Sequence, residues 1–249
     1  MEIIKYIIFG VVQGLTEFLP VSSSAHLVFA EKILGPVSND VAFFVVLHLG
    51  TVLALLVFFY KDIIALFKNF KLIGLILTAT FITAVIGLLG KDYFESLFSS
   101  VRATAWQLAL SGIILIVANA FVYGKRQVIN LWDSVLFGLS QAIAIIPGIS
   151  RSGTTISVLL LRGIDRDKAF NFSFLASIPA ILGAAVLEIK DVNLGLKVNT
   201  FNFIVGFIFS FIAGLISLYL VKSAVKKAKL HIFGYYCIIV SLAVIIFVR

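Results

Sequence analysis

Two charged side chains stand inside apolar stretches of the sequence, and both are candidates for chemistry. Outside the charged loops the chain has only Glu17 and Arg151. Within a membrane a charge is costly, so each such residue is a functional hypothesis by default. The alternative is a buried ion pair that only pins two segments together. Because such a pair needs no surrounding serines, and several are present, we favour a functional site.

The residues around Glu17 include a candidate nucleophile and a candidate base. Gln13 and Glu17 are four residues apart and therefore share one face of a helix. Ser22, Ser23 and His26 begin the returning helix, where a serine and a histidine one turn apart could act as nucleophile and base. The alternative is that the serines cap the helix and the histidine is a satisfied core residue.

The residues around Arg151 have the composition of a phosphate site. Gly148 allows a close backbone approach, and the helix that begins near Arg151 offers free N–H groups and the positive end of its dipole. Arginine adds a planar fork for phosphate oxygens, and Ser150, Ser152 and Thr155 add hydroxyl donors. In a membrane this cluster predicts an anion site, above all for phosphate.

Two further polar residues, His48 and Gln141, lie inside apolar segments. They could line the same cavity, although hydrogen bonding between helices is the commoner use of such residues in membranes. Both uses stay open at this stage. Gln141 is retained, together with Gln13, as a supporting residue of the site.

The composition requires that these residues be positioned by membrane helices. Hydrophobic residues make up 61% of the 249 residues and charged residues 13%, against roughly 45–50% and about 25% in soluble domains. A soluble or disordered chain is therefore excluded, and the single Cys237 allows no disulfide within the chain. Six uncharged windows have about the 20 residues that a bilayer requires. They are Val41–Tyr60, Leu72–Gly90, Ala103–Gly124, Ala169–Leu187, Val198–Val221 and Leu230–Val248.

The segments that carry Glu17 and Arg151 are apolar but are interrupted in the middle by polar residues and proline. Their halves are Tyr6–Thr16 and Phe18–Ala30, then Ser134–Ser150 and Ser152–Leu161. A helix of about 11 residues rises only about 16 Å, half of a bilayer. We interpret both segments as re-entrant helix hairpins. The alternative is one kinked span each.

An internal repeat relates the two broken segments. A shift of 128 residues places Phe9, Gly10, Gln13, Ser22 and Ser24 on Phe137, Gly138, Gln141, Ser150 and Ser152. Each half of the chain, approximately residues 1–124 and 125–249, is then one hairpin followed by three spans. Because three is odd, the second half is inverted relative to the first, a common plan with the ligand site between the repeats. The predicted fold is an all-α polytopic membrane protein, a single domain over residues 1–249.

The loop charges predict the orientation of this topology. One side carries twelve basic and four acidic residues, whereas the other carries seven of each. The basic side should be cytoplasmic, so both termini and the mouth of the first hairpin face outward. The two breaks should converge near mid-membrane, with Glu17 and Arg151 within about 12 Å, the reach of one diphosphate and its metal.

Two segments of the chain resemble the signature motifs of a known family. They are QGLTEFLPVSSSAH (Gln13–His26) and PGISRSGTT (Pro147–Thr155), and they are similar to those of the bacterial undecaprenyl-diphosphate phosphatases of the bacitracin-resistance type. The resemblance covers essentially the whole chain. It implies a multi-pass enzyme of the bacterial inner membrane, with an outward-facing site, that hydrolyses undecaprenyl diphosphate and so recycles the lipid carrier of peptidoglycan synthesis. It also implies dependence on a divalent cation, Mg²⁺ or Ca²⁺.

The resemblance also implies roles for individual residues. Glu17 matches the family's essential acidic residue and would hold the metal, while Ser23, His26 and Arg151 match its catalytic and phosphate-binding residues. The supporting polar positions are Ser22, Ser150, Ser152 and Thr155. Gln13 stands where many members have a second glutamate, so Glu17 would provide more of the metal coordination. Ser23, His26 or a water could be the nucleophile, and we rank Ser23 first.

Other functions stay open at this stage. A polyprenyl-phosphate flippase could also use inverted repeats around an anion site, and it would need Arg151 but no nucleophile. The vanadium-peroxidase-like lipid phosphatases place a histidine shortly after a Ser-Arg pair, whereas the next histidine after Arg151 is His231, eighty residues on. That class is excluded. The expected partners are the lipid substrate and membrane lipids rather than nucleic acid, with a homodimer left open.

Overall fold

The computed structural model describes residues 2–37, 40–120, 124–189 and 199–247, and these ranges are almost entirely helical. Six of their helices are long and apolar enough to cross a membrane. They are α3 (Asp40–Phe58), α5 (Phe70–Leu89), α7 (Val101–Asn119), α10 (Arg166–Glu188), α11 (Thr200–Lys226) and α12 (Leu230–Phe247). The six predicted spans and the all-α polytopic fold are confirmed. Val198 and Val248, at the ends of two predicted spans, and residues 121–123 lie outside the described residues.

Four shorter helices form the two broken segments. They are α1 (Glu2–Phe18), α2 (Ser23–Leu34), α8 (Leu131–Ile143) and α9 (Arg151–Leu161). Near the start of α1, Lys5 Nζ donates to the carbonyl oxygen of Pro36, which lies just beyond α2. Ahead of α8, Arg126 pairs through its backbone with Ile164, just beyond α9. Each segment therefore returns to the end at which it begins, so both are re-entrant hairpins and the alternative of kinked spans is wrong.

The second break is longer than the sequence suggested, because α8 ends at Ile143 rather than at Ser150. Proline lacks an N–H group and restricts the residue before it, so Pro147 cannot continue the helix. Gly148 follows with a φ of 91°, in the left-handed region. Two further short helices, α4 (Tyr60–Leu66) and α6 (Lys91–Ser96), lie between spans.

Each hairpin packs mainly on a helix of the other half of the chain. Helix α1 packs on α11, and α8 packs on α5. Helices α5 and α11 are the middle spans of the two halves, so the two contacts are equivalent under the repeat. The third spans, α7 and α12, pack on each other. This exchange supports the two-repeat interpretation.

Small residues at equivalent positions allow these close contacts. A Cβ atom added to Gly10 in α1 would lie 2.5 Å from the carbonyl oxygen of Gly206 in α11. At the repeat-related Gly138 in α8, the added Cβ would lie 2.8 Å from the carbonyl oxygen of Ala79 in α5. Thr83 of α5 also donates to the carbonyl oxygen of Gly138 at 3.0 Å. Small residues and interhelical hydrogen bonds are the usual means of packing membrane helices.

An ion-pair cluster closes the mouth of the second hairpin. The fully buried carboxylate of Asp133 accepts hydrogen bonds from Arg126 at 2.6 Å and from Arg162 at 3.0 Å. Nearby, Lys226 pairs with Asp167 at 3.2 Å. These residues belong to the loops expected on the cytoplasmic side, and the contacts group them at one end of the bundle.

Candidate active site

The two polar breaks meet inside the helix bundle. Arg151 Nη2 donates to Glu17 Oε1 at 2.6 Å, which confirms the predicted convergence. The backbone N–H of Gly148 donates to Ser24 Oγ at 3.3 Å and ties the two turns together a second time. The halves of the chain are thus joined at Glu17 and Arg151, the two charges that stand out in the sequence.

Glu17 is the centre of the site. It is buried, and its second oxygen, Oε2, accepts a hydrogen bond from Ser23 Oγ at 2.7 Å. Gln13 Nε2, one turn earlier on α1, donates to the same oxygen at 3.1 Å. His48 Nε2 of α3 lies 3.9 Å from it. A carboxylate held against a serine hydroxyl and a guanidinium can act as a general base for that hydroxyl.

The turn before α2 aims Ser23 at Glu17. Ser22 is the N-cap of α2, with its side chain accepting from the backbone N–H of Ala25. Its φ is 66°, in the left-handed region that residues other than glycine rarely adopt. Such a conformation costs about 1–3 kcal/mol and persists only where the surroundings impose it. Helix α2 therefore begins abruptly at Ser23.

The second break presents the start of α9 to the same place. Ser150 caps α9 by accepting from the backbone N–H of Gly153 at 3.2 Å. Ser111 of α7 supports the turn, since its hydroxyl donates to the carbonyl oxygen of Gly148 and accepts from the N–H of Ser150, both at 2.9 Å. The first N–H groups of a helix have no partner within it and attract anions. Arg151 Nη1 is buried without a hydrogen-bond partner in the described part of the chain.

Gly148 is required by the packing of α7 rather than by room for a ligand. A Cβ at this position would lie 2.4 Å from the carbonyl oxygen of Thr104, on a backbone with a φ of 91°. We therefore expect Gly148→Ala to lower the free energy of unfolding by about 3 kcal/mol, the sum of backbone strain and overpacking. Thermal melting in detergent measures the loss. The control is Gly183→Ala in α10, where an added Cβ has no atom within 4 Å, and equal melting temperatures for the two variants would refute the prediction.

A cavity opens between the two breaks. It contains about 420 Å³ of space free of protein atoms, a volume that includes its open mouth. Its lining combines hydroxyls, the ion pair and apolar side chains: Thr16, Glu17, Ser22, Ser23, Ser24, Ala144, Ile145, Ile149, Ser150 and Arg151. Polar and apolar side chains in one lining suit a ligand that carries both a charged head and a hydrocarbon tail.

Three of the predicted site residues are not among those that line this cavity. His26 Nε2 lies 2.9 Å from the hydroxyl of Tyr236 on α12, rather than beside Ser23. Thr155 shares a hydrogen bond with Ser173 of α10 at 2.8 Å. Gln141 Nε2 donates to Thr83 at 3.1 Å, the interhelical use that the sequence analysis left open. Their contacts support helix packing.

Ser152 and Gly148 also act through the turns rather than from the cavity wall. Ser152 Oγ donates to the carbonyl oxygen of Leu19 in the first break at 3.3 Å. Ser24, Ser111 and Tyr236 also contact the two breaks, and their roles were not predicted from the sequence. Of these, only Ser24 could have been found from the sequence, because the repeat aligns it with Ser152. The contacts of Ser111 and Tyr236 depend on how α7 and α12 pack.

The donor atoms of the site fit a hard divalent cation only if a ligand completes its coordination. No group of three His, Cys, Asp or Glu residues that could hold a metal occurs among the described residues. Glu17 supplies one carboxylate, and Gln13 Oε1 is a buried carbonyl oxygen without a hydrogen-bond partner in the described ranges. Oxygen ligands of this kind suit Mg²⁺ and Ca²⁺, and Mg²⁺ usually takes substrate phosphates as further ligands.

Comparison with known proteins decides the family. The family model of the bacitracin resistance protein BacA matches residues 6–243. The chain belongs to the BacA family. Among curated relatives, the undecaprenyl-diphosphatase of Halothermothrix orenii is 41% identical over 99% of this chain and 98% of its own length.

Two other BacA relatives agree with it. The undecaprenyl-diphosphatase of Methanobrevibacter smithii is 40% identical over 98% of this chain and 97% of its own length. Undecaprenyl-diphosphatase 1 of Shouchella clausii is 37% identical over 99% of this chain and 97% of its own length. The similarity therefore spans both hairpins and all six long helices, as the motif resemblance suggested.

Proposed function

We propose that this BacA-family chain is an undecaprenyl-diphosphate phosphatase, which converts undecaprenyl diphosphate and water into undecaprenyl phosphate and phosphate. The observation that carries the proposal is one chain of hydrogen bonds. Ser23 donates to Glu17 at 2.7 Å, and Arg151 donates to the other oxygen of Glu17 at 2.6 Å. A flippase would need the positive charge of Arg151, but it has no use for a serine held against a buried carboxylate. The activity is also the one named for its relatives.

Arg151 and the start of α9 bind the diphosphate. Nη1 of Arg151 is free to donate to a phosphate oxygen while Nη2 holds Glu17. The N–H groups at the start of α9 add the positive end of the helix dipole. The apolar residues Ile145 and Ile149 line the same cavity. The first carbons of the prenyl chain would pass along them as the chain leaves the head-group site.

Ser23 is the proposed nucleophile. Its hydroxyl proton passes to Glu17 as Oγ bonds to the terminal phosphorus, and the bond to the bridging oxygen breaks so that undecaprenyl phosphate departs. Glu17 becomes neutral in this step. The charge of Arg151 is then no longer balanced by Glu17 and is available to the phosphoryl oxygens as the bond to the leaving group breaks.

Water completes the reaction. Glu17 gives its proton to the departing undecaprenyl phosphate. It then accepts a proton from the water that attacks the phosphoserine. The bond between phosphorus and Ser23 Oγ breaks, Glu17 returns the proton to Oγ, and phosphate leaves. His26 does not reach Ser23, because its ring nitrogens engage the carbonyl oxygen of Ser22 and the hydroxyl of Tyr236. We therefore assign the base to Glu17 alone.

A divalent cation is part of the proposal. Glu17 and Gln13 Oε1 would hold it from the protein side, and the diphosphate would provide the remaining ligands. When bound, such a cation offsets phosphate charge as the P–O bond breaks. Because Gln13 is neutral, Glu17 would supply the negative charge on the protein side of the cation.

The finer location of the site is also proposed. The chain is a multi-pass membrane protein, and we place it in the inner membrane with the cavity open to the outer side. The grouping of Arg126, Arg162 and Lys226 at one end supports this orientation, because that end should be cytoplasmic. A homodimer would use α5 and α12, the two spans with the least buried surface.

Phosphate release from purified protein tests the proposed function. The protein is assayed in detergent with undecaprenyl diphosphate and Mg²⁺ or Ca²⁺, and the product lipid is identified by mass. Release of one phosphate per lipid, with undecaprenyl phosphate as product, is the expected result. Lipid movement in vesicles without phosphate release would overturn the proposal in favour of a flippase.

Replacement of Arg151 by lysine should lower kcat/KM about 100-fold, a loss typical of removing one charge-stabilising donor. Lysine keeps the charge but loses the planar fork whose two Nη atoms donate to Glu17 and to a phosphate oxygen in fixed directions. Arg166→Lys is the matched control, since Arg166 is only partly buried and donates to the carbonyl oxygen of Lys226, away from the cavity. Rates are compared at equal amounts of folded protein. Similar kcat/KM values for Arg151→Lys and wild type would reduce Arg151 to charge balance.

A further inference from the structure

The environment of His26 indicates how the first break is held. Its Nδ1 lies 2.8 Å from the carbonyl oxygen of Ser22 and its Nε2 lies 2.9 Å from the hydroxyl of Tyr236. A carbonyl oxygen can only accept, so Nδ1 carries the proton and the lone pair of Nε2 accepts from the tyrosine. The two rings are also stacked, with centroids 5.7 Å apart and planes at 8°. The carbonyl oxygen of Ser22 thus selects the tautomer of His26, and the tyrosine fixes the orientation of its ring.

The neighbouring residue of α12 contacts the same turn. Cys237 is fully buried, and its Sγ donates to the carbonyl oxygen of Pro20 at 3.7 Å. Two successive residues of α12 therefore reach the break on both sides of Ser22, one at Pro20 and one at His26. Helix α12 is the last span of the other half of the chain, so this support is independent of the Glu17–Arg151 pair.

The turn needs such support because of the backbone of Ser22. Its φ of 66° is unfavourable for serine. The carbonyl oxygen of Ser22 accepts from both Nδ1 and the backbone N–H of His26. If the ring of His26 rotated, Ser22 could relax, and Ser23 would move away from Glu17.

We propose that Tyr236 is a positioning residue of the phosphatase. Its hydroxyl orients His26, His26 holds the carbonyl oxygen of Ser22, and the held turn keeps Ser23 Oγ on Glu17. The inference rests on the proposed function, since it assigns a reason for the placement of the nucleophile. Tyr236 is not among the residues that line the cavity, so its hydroxyl affects the attack and leaves substrate binding unchanged.

The test is Tyr236→Phe, which keeps the stacked ring and removes only the hydroxyl. We expect kcat to fall about tenfold, with KM within about twofold of wild type, the pattern of a lost interaction that matters only in the transition state. Tyr235→Phe is the matched control: Tyr235 is the preceding residue on α12, more than half exposed, and its ring contacts His231 rather than the break. Its kcat should equal that of wild type.

A double-mutant cycle separates positioning from a general loss of stability. If Tyr236 acts through His26, then Tyr236→Phe should have no further effect on kcat in a His26→Ala background. Additive losses in the double variant, an unchanged kcat in Tyr236→Phe, or a rise in KM alone would each overturn the inference. The proposed function fails separately, by absence of phosphate release from the wild-type protein under the same conditions.

Discussion

Replacing Glu17 with glutamine is expected to lower kcat for phosphate release about 1,000-fold, within the range for losing a general base. Glutamine keeps the shape of the side chain and its hydrogen bond to Ser23, but it cannot accept the serine proton. It also leaves the buried guanidinium of Arg151 without the carboxylate that now accepts from it at 2.6 Å. Initial rates against Mg²⁺ and Ca²⁺ concentration show whether the metal response is lost at the same time.

Two further variants keep this experiment interpretable. Glu95→Gln makes the same chemical change at an exposed glutamate paired with Lys91, and it should behave as wild type. Glu17→Asp keeps the charge near Arg151, so it should remain folded even if the unpaired arginine destabilises Glu17→Gln. If Glu17→Gln keeps more than a tenth of the wild-type rate, Glu17 is not the base. An unchanged metal response would show that the cation is held by the substrate alone.

Ser23→Ala should lower kcat by about 10⁴-fold or more, because a missing nucleophile is not replaced by better binding. The cavity gains only the space of one oxygen atom. Ser24→Ala is the graded comparison: Ser24 accepts from the N–H of Gly148 and joins the two turns, so its loss should cost only about tenfold, the worth of one hydrogen bond.

Acid quenching distinguishes the nucleophile from a bound water. With substrate labelled in the terminal phosphate, wild-type protein should retain label as phosphoserine, and Ser23→Ala should retain none. If Ser23→Ala is slow but the wild-type protein retains no label, then water attacks the phosphorus and Ser23 only orients that water. More than a tenth of the wild-type rate in Ser23→Ala would exclude any such role.

The hydrophobic pattern and the two isolated charges were enough to predict the spans, both hairpins and the meeting of Glu17 with Arg151. These features follow from the cost of exposing backbone and charge to lipid, which a sequence displays directly. The repeat predicted two inverted halves, which the packing of Gly10 on α11 and of Gly138 on α5 supports.

The contacts of single side chains depended on helix placement, which one sequence does not contain. His26 is one turn from Ser23, yet it faces α12 because Tyr236 offers a hydrogen bond there. Gly148 had a functional explanation in the sequence, whereas in the structure the carbonyl oxygen of Thr104 in α7 leaves no room for a side chain there. In both cases the deciding partner is more than 40 residues away along the chain.

The exchange of hairpins between the two halves has a consequence for biosynthesis. Glu17 enters the membrane 134 residues before its partner Arg151 is made. Until then its carboxylate has no guanidinium, and α11, on which α1 packs, has not been synthesised. The first hairpin can therefore settle only after the ribosome has almost finished, since α12 and Tyr236 come last. A nascent chain stopped before α9, which begins at Arg151, should hold an unpaired acidic residue in lipid, and such intermediates are natural targets for membrane quality-control proteases.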